Sequence, residues 1–257
     1  MLPVVVLLHG MFGDVNVWSA TALSLVRSGL NVLALDLPGH GYSSASVETV
    51  SQAVSALDAA LRAICPDMVA GLPASIARLQ PPWLFVGHSF GGLLAAELAA
   101  LCDRRAELAG LVLLAPSGLG EEVNRDFLLS VLEASDEQTL ADALSRLTVR
   151  RYRSAPAALR AMWSRLSSAR PQLYQLMDSI VDVTGRQSHS ITGTLSGLSV
   201  PLSLIHGRED AIIPWQQALN APPGTALYLL PGIGHMPHWE ATDLTSRVIA
   251  RAALVQT

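Results

Sequence analysis

Six short runs of apolar residues, rich in valine, leucine and isoleucine and bounded by turn residues, recur along the chain. Runs of this kind are typical of strands that are buried on both faces of a parallel sheet. They are predicted at Val4–Leu8, Val32–Leu35, Leu84–Val86, Leu111–Leu114, Leu202–Ile205 and Leu227–Leu230. Amphipathic helical stretches lie between most of them, predicted at Val17–Arg27, Val47–Ile64, Gly91–Asp103, Pro214–Asn220 and Leu244–Leu254. This alternation predicts an α/β fold, with a mostly parallel, doubly wound sheet of about six strands covered on both faces.

One long segment breaks the alternation. From Gly120 to about Leu195 the pattern has only helical periodicity and no strand-like run. An insertion of about 75 residues is much longer than a crossover connection needs. We therefore predict a core in two parts, residues 1–119 and 196–257, and a helical lid of residues 120–195 over the carboxyl edge of the sheet. The segment carries most of the arginines of the chain, which are expected on a solvated helix face, among them Arg125, Arg146, Arg150, Arg151, Arg153, Arg160, Arg165 and Arg170.

Composition narrows the class of protein. Half of the 257 residues are hydrophobic, 15% are charged and the formal net charge is -4, which excludes a disordered chain and gives no footprint for nucleic acid. No apolar run reaches about 18 residues, so we expect no membrane-spanning helix, and the start lacks the basic segment of a secretory signal. Cys65 and Cys102 are expected to be small buried residues without zinc or disulfide roles. These observations favour a cytoplasmic protein.

The third strand run leads into a distinctive turn, Gly87-His88-Ser89-Phe90-Gly91, which fits the pattern G-x-S-x-G. The motif requires a strand before the serine and a helix after it, and both are predicted here. The serine must adopt a positive φ, and side chains at the two glycine positions would collide in the tight turn. A serine that merely caps a helix needs none of these glycines. We therefore predict that Ser89 is an exposed nucleophile.

A serine hydroxyl needs a base, and the base needs an acid that fixes its tautomer. Of the seven histidines, His235 follows the last strand, in a loop that should reach the same sheet edge as Ser89. His238 is the alternative base. The fifth strand is followed by Glu209 and Asp210, of which Asp210 is favoured because it lies farther beyond the strand end; Glu209 is the alternative acid. The order Ser, Asp, His is that of hydrolases with this elbow.

Negative charge that develops on a substrate carbonyl oxygen needs hydrogen-bond donors. The first strand ends in a glycine-containing loop, HGMFG, whose backbone can approach closely. The N–H of Met11 is the favoured donor and that of Phe12 the alternative, with the N–H of Phe90 as the second donor. A phosphate-binding loop would require a lysine that GHSFGG lacks, and no metal-ligand cluster is visible. We therefore expect no metal and no cofactor.

Taken in chain order, HGMFG, DLPGHGYS, GHSFGG, GREDAIIP and GIGHMPHWE resemble the α/β-hydrolase superfamily over nearly the whole chain. At finer grain, LLAPSGLGEEVN, the helical segment and GREDAIIP are similar to the hydrolase-like domain of the dihydrolipoyl acyltransferase component of acetoin dehydrogenase. This resemblance covers about residues 3 to 250. It implies an α/β-hydrolase fold, a triad of Ser89, Asp210 and His235, and oxyanion donors at Met11 and Phe90.

The sequence departs from these relatives in two respects. It starts at the HG-containing strand, so we expect the usual preceding hairpin to be missing, and it contains neither a lipoyl domain nor the H-x-x-x-D-G motif of ordinary dihydrolipoyl acyltransferases. We therefore expect a serine hydrolase that acts on a small-molecule carboxylic ester or related acyl substrate through an acyl-enzyme. The alternatives are C–C bond hydrolysis or a lyase reaction on the same triad, acyl transfer, and a non-catalytic ligand-binding protein. Neither the substrate nor the oligomeric state follows from the sequence.

Overall fold

The computed structural model describes residues 2–68, 82–150 and 155–254, and the side chains of all of these except 65–68. Six parallel strands form one sheet in the order β2-β1-β3-β4-β5-β6. Their bounds are Val4–Leu8 (β1), Asn31–Leu35 (β2), Trp83–His88 (β3), Leu108–Leu114 (β4), Leu202–Gly207 (β5) and Ala226–Leu230 (β6). The predicted parallel sheet of about six strands is confirmed.

Helices connect the strands. The α-helices are Ser19–Arg27 (α1), Val50–Met68 (α2), Phe90–Asp103 (α3), Arg125–Leu132 (α4), Glu137–Leu144 (α5), Pro156–Ile180 (α6), Thr192–Ser196 (α7), Pro237–Glu240 (α8) and Thr242–Leu254 (α9). Short 3₁₀ helices span Val15–Trp18, Ser145–Leu147 and Trp215–Asn220. Each of the five predicted helical stretches corresponds to a helix in the structure, but the one before β6 is a 3₁₀ helix. Strand β4 begins three residues earlier than predicted, because Leu108 also pairs with β3.

Both faces of the sheet are covered, because side chains of a strand alternate between its two sides. Val4, Val6 and Leu8 of β1 belong to one hydrophobic cluster, which α2 and α3 complete. Val5 and Leu7 belong to the cluster on the opposite face, which α1 and α9 complete. Helix α3 is apolar nearly all round, and this composition fits its position against the sheet under other helices.

Between β4 and β5 the described residues form helices joined by turns and loops, and their only β-type pairing is two isolated bridges, Glu122 with Arg186 and Val181 with Gln187. Local signals start its helices. The Asn124 side chain accepts a hydrogen bond from Phe127 N and so caps α4, and Asp136 forms a capping box with Thr139 at the start of α5. The apolar faces of α4, α5 and α6 join the same hydrophobic cluster as α2 and α3. The division into a core and a lid remains a prediction.

The strand order changes direction between β1 and β3, which are neighbours in the sheet. At such a switch point the loops at the carboxyl ends of the two strands diverge and leave a crevice. Here those loops are the HGMFG turn and the GHSFGG turn. Among the described residues, none of the helices has the length and apolar character that crossing a membrane requires.

Candidate functional site

Ser89 lies at the strained turn between β3 and α3. Its backbone has φ 52° and ψ -121°, a region that residues with side chains rarely occupy. Although Ser89 is the N-cap residue of α3, its hydroxyl makes no capping hydrogen bond. Strain of this kind persists only where the surrounding structure enforces it, and here it turns the side chain onto a cavity. The structure thus gives no capping role to this serine.

The glycines around Ser89 are required by close contacts. A Cβ atom on Gly87 would lie 2.3 Å from the Gly91 carbonyl oxygen, and one on Gly91 would lie 2.2 Å from the His9 carbonyl oxygen. Side chains at these positions would force the backbone apart. The second contact also shows that the turn after β3 is packed directly against the end of β1.

The loop after β1 approaches the same serine. A Cβ on Gly10 would lie 3.1 Å from Ser89 Cβ, so the HGMFG loop lies beside the elbow. Met11 and Phe12 both line the cavity, and Phe12 has a φ of 68°. Phe90 is the first residue of α3, where backbone N–H groups have no partner within the helix. The predicted oxyanion donors Met11 and Phe90 therefore lie next to Ser89.

Asp210 and His235 form a buried pair. Nδ1 of His235 donates to Oδ2 of Asp210 at 2.7 Å, and the two side chains are 3% and 0% exposed. The chain after β6 passes directly over the end of β5, where a Cβ on Gly207 would lie 2.1 Å from the Gly234 carbonyl oxygen. Since Nδ1 carries the proton donated to Asp210, Nε2 is the ring nitrogen that remains for chemistry at the cavity.

The Asp210 carboxylate is held in its charged form. Burial alone would raise its pKa, but the charge of His235 and hydrogen bonds from His206 and His235 hold the pKa well below its usual range. The backbone N–H groups of Ile212 and Ile213 donate to its other oxygen at 2.8 and 2.9 Å. Sequence reasoning did not find the contribution of His206, because its position near the end of β5, four residues before Asp210, carries no signal of this contact.

The structure separates the alternative acid and the alternative base from the cavity. Glu209 is exposed and accepts a hydrogen bond from Gly232 N at 2.7 Å. The His238 ring is fully buried, 4.4 Å from the Trp18 ring between centroids, and neither of its nitrogens has a hydrogen-bond partner among the described residues. Burial, with a smaller effect of His235, lowers the pKa of His238 to about 3.

Two further histidines, in glycine-rich surroundings, support loops. His9 Nδ1 donates to the Gly10 carbonyl at 2.8 Å while its Nε2 accepts from Leu37 N at 3.0 Å. Burial lowers the pKa of this ring to about 4, so it stays neutral. His88 Nε2 donates to the backbone carbonyl of His235 at 2.8 Å and thereby ties the elbow to the candidate base.

A cavity of about 500 Å³ lies between the sheet edge and the helical segment. Ser89, His235, Met11 and Phe90 line its floor, while Asp210 lies behind His235. The helical segment contributes mostly apolar side chains: Phe127, Leu128, Leu144, Leu147, Leu159, Met162, Ile180 and Val181.

The helical segment is attached to the loops that carry the acid and the base. Asn124 accepts from Phe127 through its side chain, donates to the Ala211 carbonyl at 2.9 Å, and through its backbone N–H donates to the Ile212 carbonyl at 2.8 Å. His235 N donates to the Leu147 carbonyl at 2.9 Å. The roof of the cavity and the Asp210–His235 pair are therefore parts of one connected structure.

The arginines of the helical segment do not form an anion site in the described part of the chain, where no arginine lines the cavity. Arg165 pairs with Asp14 at 2.6 Å and Arg160 with Glu137 at 3.2 Å. Arg151 and Arg153 lie outside the described residues.

No cluster of three or more potential metal ligands occurs within residues 2–68, 82–150 and 155–254. Cys102 is buried, as predicted, and burial raises the pKa of its thiol to about 11. The side chain of Cys65 lies outside the described residues.

Comparison with known proteins places this geometry in context. The model of the alpha/beta hydrolase family matches residues 5–248. A solved structure of a meta-cleavage product hydrolase variant superimposes with a TM-score of 0.77 over 97% of this chain and 90% of that one, at 20% sequence identity. This likeness shows the fold, and together the two matches confirm the resemblance that the sequence motifs predicted.

Curated relatives cover most of the chain. The dihydrolipoyllysine-residue acetyltransferase component of the acetoin cleaving system of Pseudomonas putida is 31% identical over 93% of this chain. This chain spans 60% of the length of that relative. The pimeloyl-[acyl-carrier protein] methyl ester esterase of Vibrio campbellii is 29% identical over 91% of this chain and 88% of its own length.

Proposed function

Because the chain belongs to the alpha/beta hydrolase family, we propose that it is a hydrolase that cleaves carboxylic esters or related acyl compounds through a covalent intermediate on Ser89. The observation that carries this proposal is the buried pair of His235 and Asp210, joined at 2.7 Å, beside a strained serine on the same cavity. Relatives that are named esterases support the reaction class.

In the proposed first step, Ser89 Oγ attacks the acyl carbon and its proton passes to Nε2 of His235. The carbonyl oxygen becomes an anion and is bound by the N–H groups of Met11 and Phe90. Collapse of the tetrahedral intermediate breaks the bond to the alcohol, which leaves with the proton from His235. A water molecule then repeats the sequence on the acyl-enzyme, and the carboxylic acid leaves with Ser89 restored.

Asp210 acts through His235 in this scheme. Its carboxylate holds the Nδ1–H tautomer, so that Nε2 faces the serine, and it stabilises the imidazolium that forms during the reaction. Since the pKa of Asp210 is held well below its usual range, the acid stays ionised throughout.

The cavity suggests the character of the acyl substrate. The side chains from the helical segment are largely apolar, and apolar walls favour an apolar acyl or alcohol group. We propose that residues 120–195 act as a lid, which excludes water from the acyl-enzyme and selects the substrate.

A panel of p-nitrophenyl esters of increasing acyl length, with thioesters and β-diketones, tests the reaction on purified protein. We expect ester hydrolysis that falls by about 10⁵-fold or more in Ser89→Ala and in His235→Ala, the size of effect seen in other triads. A fluorophosphonate probe should label the wild-type protein and leave Ser89→Ala unlabelled. The exposed Ser196→Ala is the control and should retain both properties. Full turnover by Ser89→Ala would contradict the proposal.

Acyl transfer is the second candidate, because a relative named as an acetyltransferase component is 31% identical. An acyl-enzyme on Ser89 can be resolved by a thiol as well as by water, since the triad activates either nucleophile. The printed sequence contains no H-x-x-x-D-G motif, so we expect water to be the acceptor. Incubation with acetyl-CoA and dihydrolipoamide distinguishes the two: Ser89-dependent acetyl-dihydrolipoamide formed faster than esters are hydrolysed would favour transfer.

A further inference from the structure

His206 lies in β5 and is fully buried. Its Nε2 is 3.1 Å from Asp210 Oδ2 and 3.2 Å from the Ile213 carbonyl oxygen. A carboxylate and a carbonyl only accept hydrogen bonds, so Nε2 must carry a proton. Nδ1 is buried and has no partner among the described residues, so a second proton there would be unsatisfied. The ring therefore offers one N–H, which is shared between Asp210 Oδ2 and the Ile213 carbonyl oxygen.

With this contact Asp210 accepts four hydrogen bonds, two at each oxygen. Oδ1 accepts the backbone N–H groups of Ile212 and Ile213. Oδ2 accepts Nδ1 of His235 at 2.7 Å and Nε2 of His206 at 3.1 Å. An ionised carboxylate has about four lone-pair sites, so the acid is saturated and cannot rotate without losing bonds. His206 competes with His235 for the same oxygen.

We propose that His206 is a positioning residue that shares Asp210 Oδ2 with His235, fixes the orientation of the acid and limits the negative charge the acid offers to the base. This inference rests on the proposed function only for its effect on turnover. His206 touches neither the cavity floor nor Ser89, and acts through Asp210.

The direction of the effect follows from charge. A hydrogen bond donated to the carboxylate withdraws negative charge from the oxygen that stabilises protonated His235. Removal of the donor leaves Oδ2 to His235 alone, so protonated His235 becomes more stable and its titration moves to higher pH. A purely structural role in packing β5 would lower the melting temperature without this shift.

Other titratable and charged groups lie near His235, and their effect on its titration is separate from that of His206. The titratable and charged residues on the elements packed against His235 are His88, His206, Asp210, His238, Glu240, Arg146, Arg150, Arg208 and Glu209. Glu240 accepts from Gly234 N, Val149 N and Arg150 N, and Glu209 from Gly232 N, so both are engaged with backbone. Burial, more than any nearby charge, lowers the pKa of His238 to about 3 and that of His88 well below its usual range. Neither of these two rings titrates near neutral pH.

The test is an NMR titration of the His235 ring in histidine-labelled protein, with its signal assigned by its loss in His235→Ala. In His206→Leu, which removes the donor, we expect the midpoint to rise by about half to one pH unit. His206→Gln keeps an N–H donor and should restore the wild-type midpoint. The acid limb of kcat/KM for an ester should move in the same direction, with kcat about tenfold lower in His206→Leu.

An unchanged midpoint in His206→Leu, or an equal shift in the Leu and Gln variants, would overturn the inference. Thermal melting checks that each variant folds, and His206→Met, with a flexible side chain, replaces Leu if that variant does not. The NMR midpoint needs no substrate. If the wild-type protein showed no Ser89-dependent hydrolysis, the proposed function would fail while the titration still decided the role of His206.

Discussion

The carboxyl edge of the sheet and the helical segment between β4 and β5 enclose one cavity, but they differ in how closely their backbones are packed. At the edge, a Cβ on Gly91 would meet a backbone oxygen at 2.2 Å; in the helical segment, a Cβ on Gly193 would meet nothing within 4 Å. The edge is rich in buried histidines, each tied to a neighbour or packed against a ring, whereas His189 of the segment is exposed. The sheet edge fixes the positions of individual atoms, whereas the helical segment supplies a surface of the cavity.

The difference indicates how chemistry and selectivity are divided. Atoms at the edge are placed by backbone contacts and charged hydrogen bonds, which tolerate little displacement. Most side chains that the helical segment contributes to the cavity wall are apolar and are held by packing. Volume-conserving exchanges among such residues cost little. Ion pairs on its outer face, such as Arg160 with Glu137, are exposed and contribute little to stability.

Among the substitutions that compare the two regions, the largest effect is expected for the acid. Asp210→Asn should lower kcat by about 10⁴-fold, by analogy with other triads, because an amide can favour the wrong tautomer of His235. The adjacent Glu209→Gln is the matched control and should stay within about twofold of wild type, since Glu209 accepts from Gly232 N away from the cavity. Steady-state kinetics on one ester measures kcat for both variants. An equal loss of kcat in the two would contradict a special role for Asp210 at the sheet edge.

Next comes a pair of glycine substitutions, one in each region. Gly91→Ala should destabilise the fold by about 3 kcal/mol, because its Cβ would collide with the backbone at the end of β1. Gly193→Ala has open space and lies in α7, so it should be neutral or stabilising by about 0.5 to 1 kcal/mol. Urea unfolding gives both free energies. Similar values for the two would contradict the contrast in tolerance.

The parts of the molecule that could be predicted from the sequence are those with a local signal. The buried strands were readable because both faces are apolar, and Ser89 because glycines must flank it. Asp210 was favoured over Glu209 by its place beyond the strand end, and the structure pairs it with His235.

The role of His206 was not readable, because a histidine at a strand end carries no signal of its partner. Its contact depends on the loop after β5 folding back until Asp210 lies beside it. The residues that line the cavity wall could not be predicted either, since amphipathic periodicity identifies an apolar face but not the element that the face covers. Tertiary packing decides both.

A smaller effect is expected in the cavity wall. Met162 of α6 lines the cavity, so Met162→Ala widens it. We expect the preference among acyl chain lengths to shift by about tenfold, the discrimination that one buried apolar side chain provides. Fluorophosphonate labelling of Ser89 should change by less than twofold. The exposed Val183→Ala, outside the cavity lining, is the control. Loss of labelling in Met162→Ala would mean that the reactivity of Ser89 at the sheet edge cannot be separated from the cavity wall of the helical segment.

The smallest effect concerns acid stability. The pKa of His238 is lowered to about 3 by burial, so below pH 6.5 the unfolded chain binds a proton at this site that the folded protein does not. Stability is therefore lost as the pH falls, by about 1.4 kcal/mol per pH unit for one such group. His238→Phe removes this loss between pH 6.5 and 4.

Urea unfolding at pH 7 and pH 5.5 should thus show a smaller drop for His238→Phe than for the wild-type protein. His189→Phe, an exposed position, should leave the drop unchanged. Ester hydrolysis by His238→Phe should persist, because the ring is packed against Trp18 and lies off the cavity. Loss of hydrolysis in this variant would return His238 to the position of candidate base.

The insertion of the helical segment between β4 and β5 has a consequence for synthesis on the ribosome. Leu111 of β4 pairs in register with Leu202 of β5, some 90 residues later. At ordinary rates of translation, β4 waits roughly 5 to 18 s for its neighbour. During that time its edge presents unpaired N–H and C=O groups, which invite pairing with another nascent chain. Helices α4 to α6 emerge first, and their early collapse onto the growing core is what can shield that edge until β5 arrives.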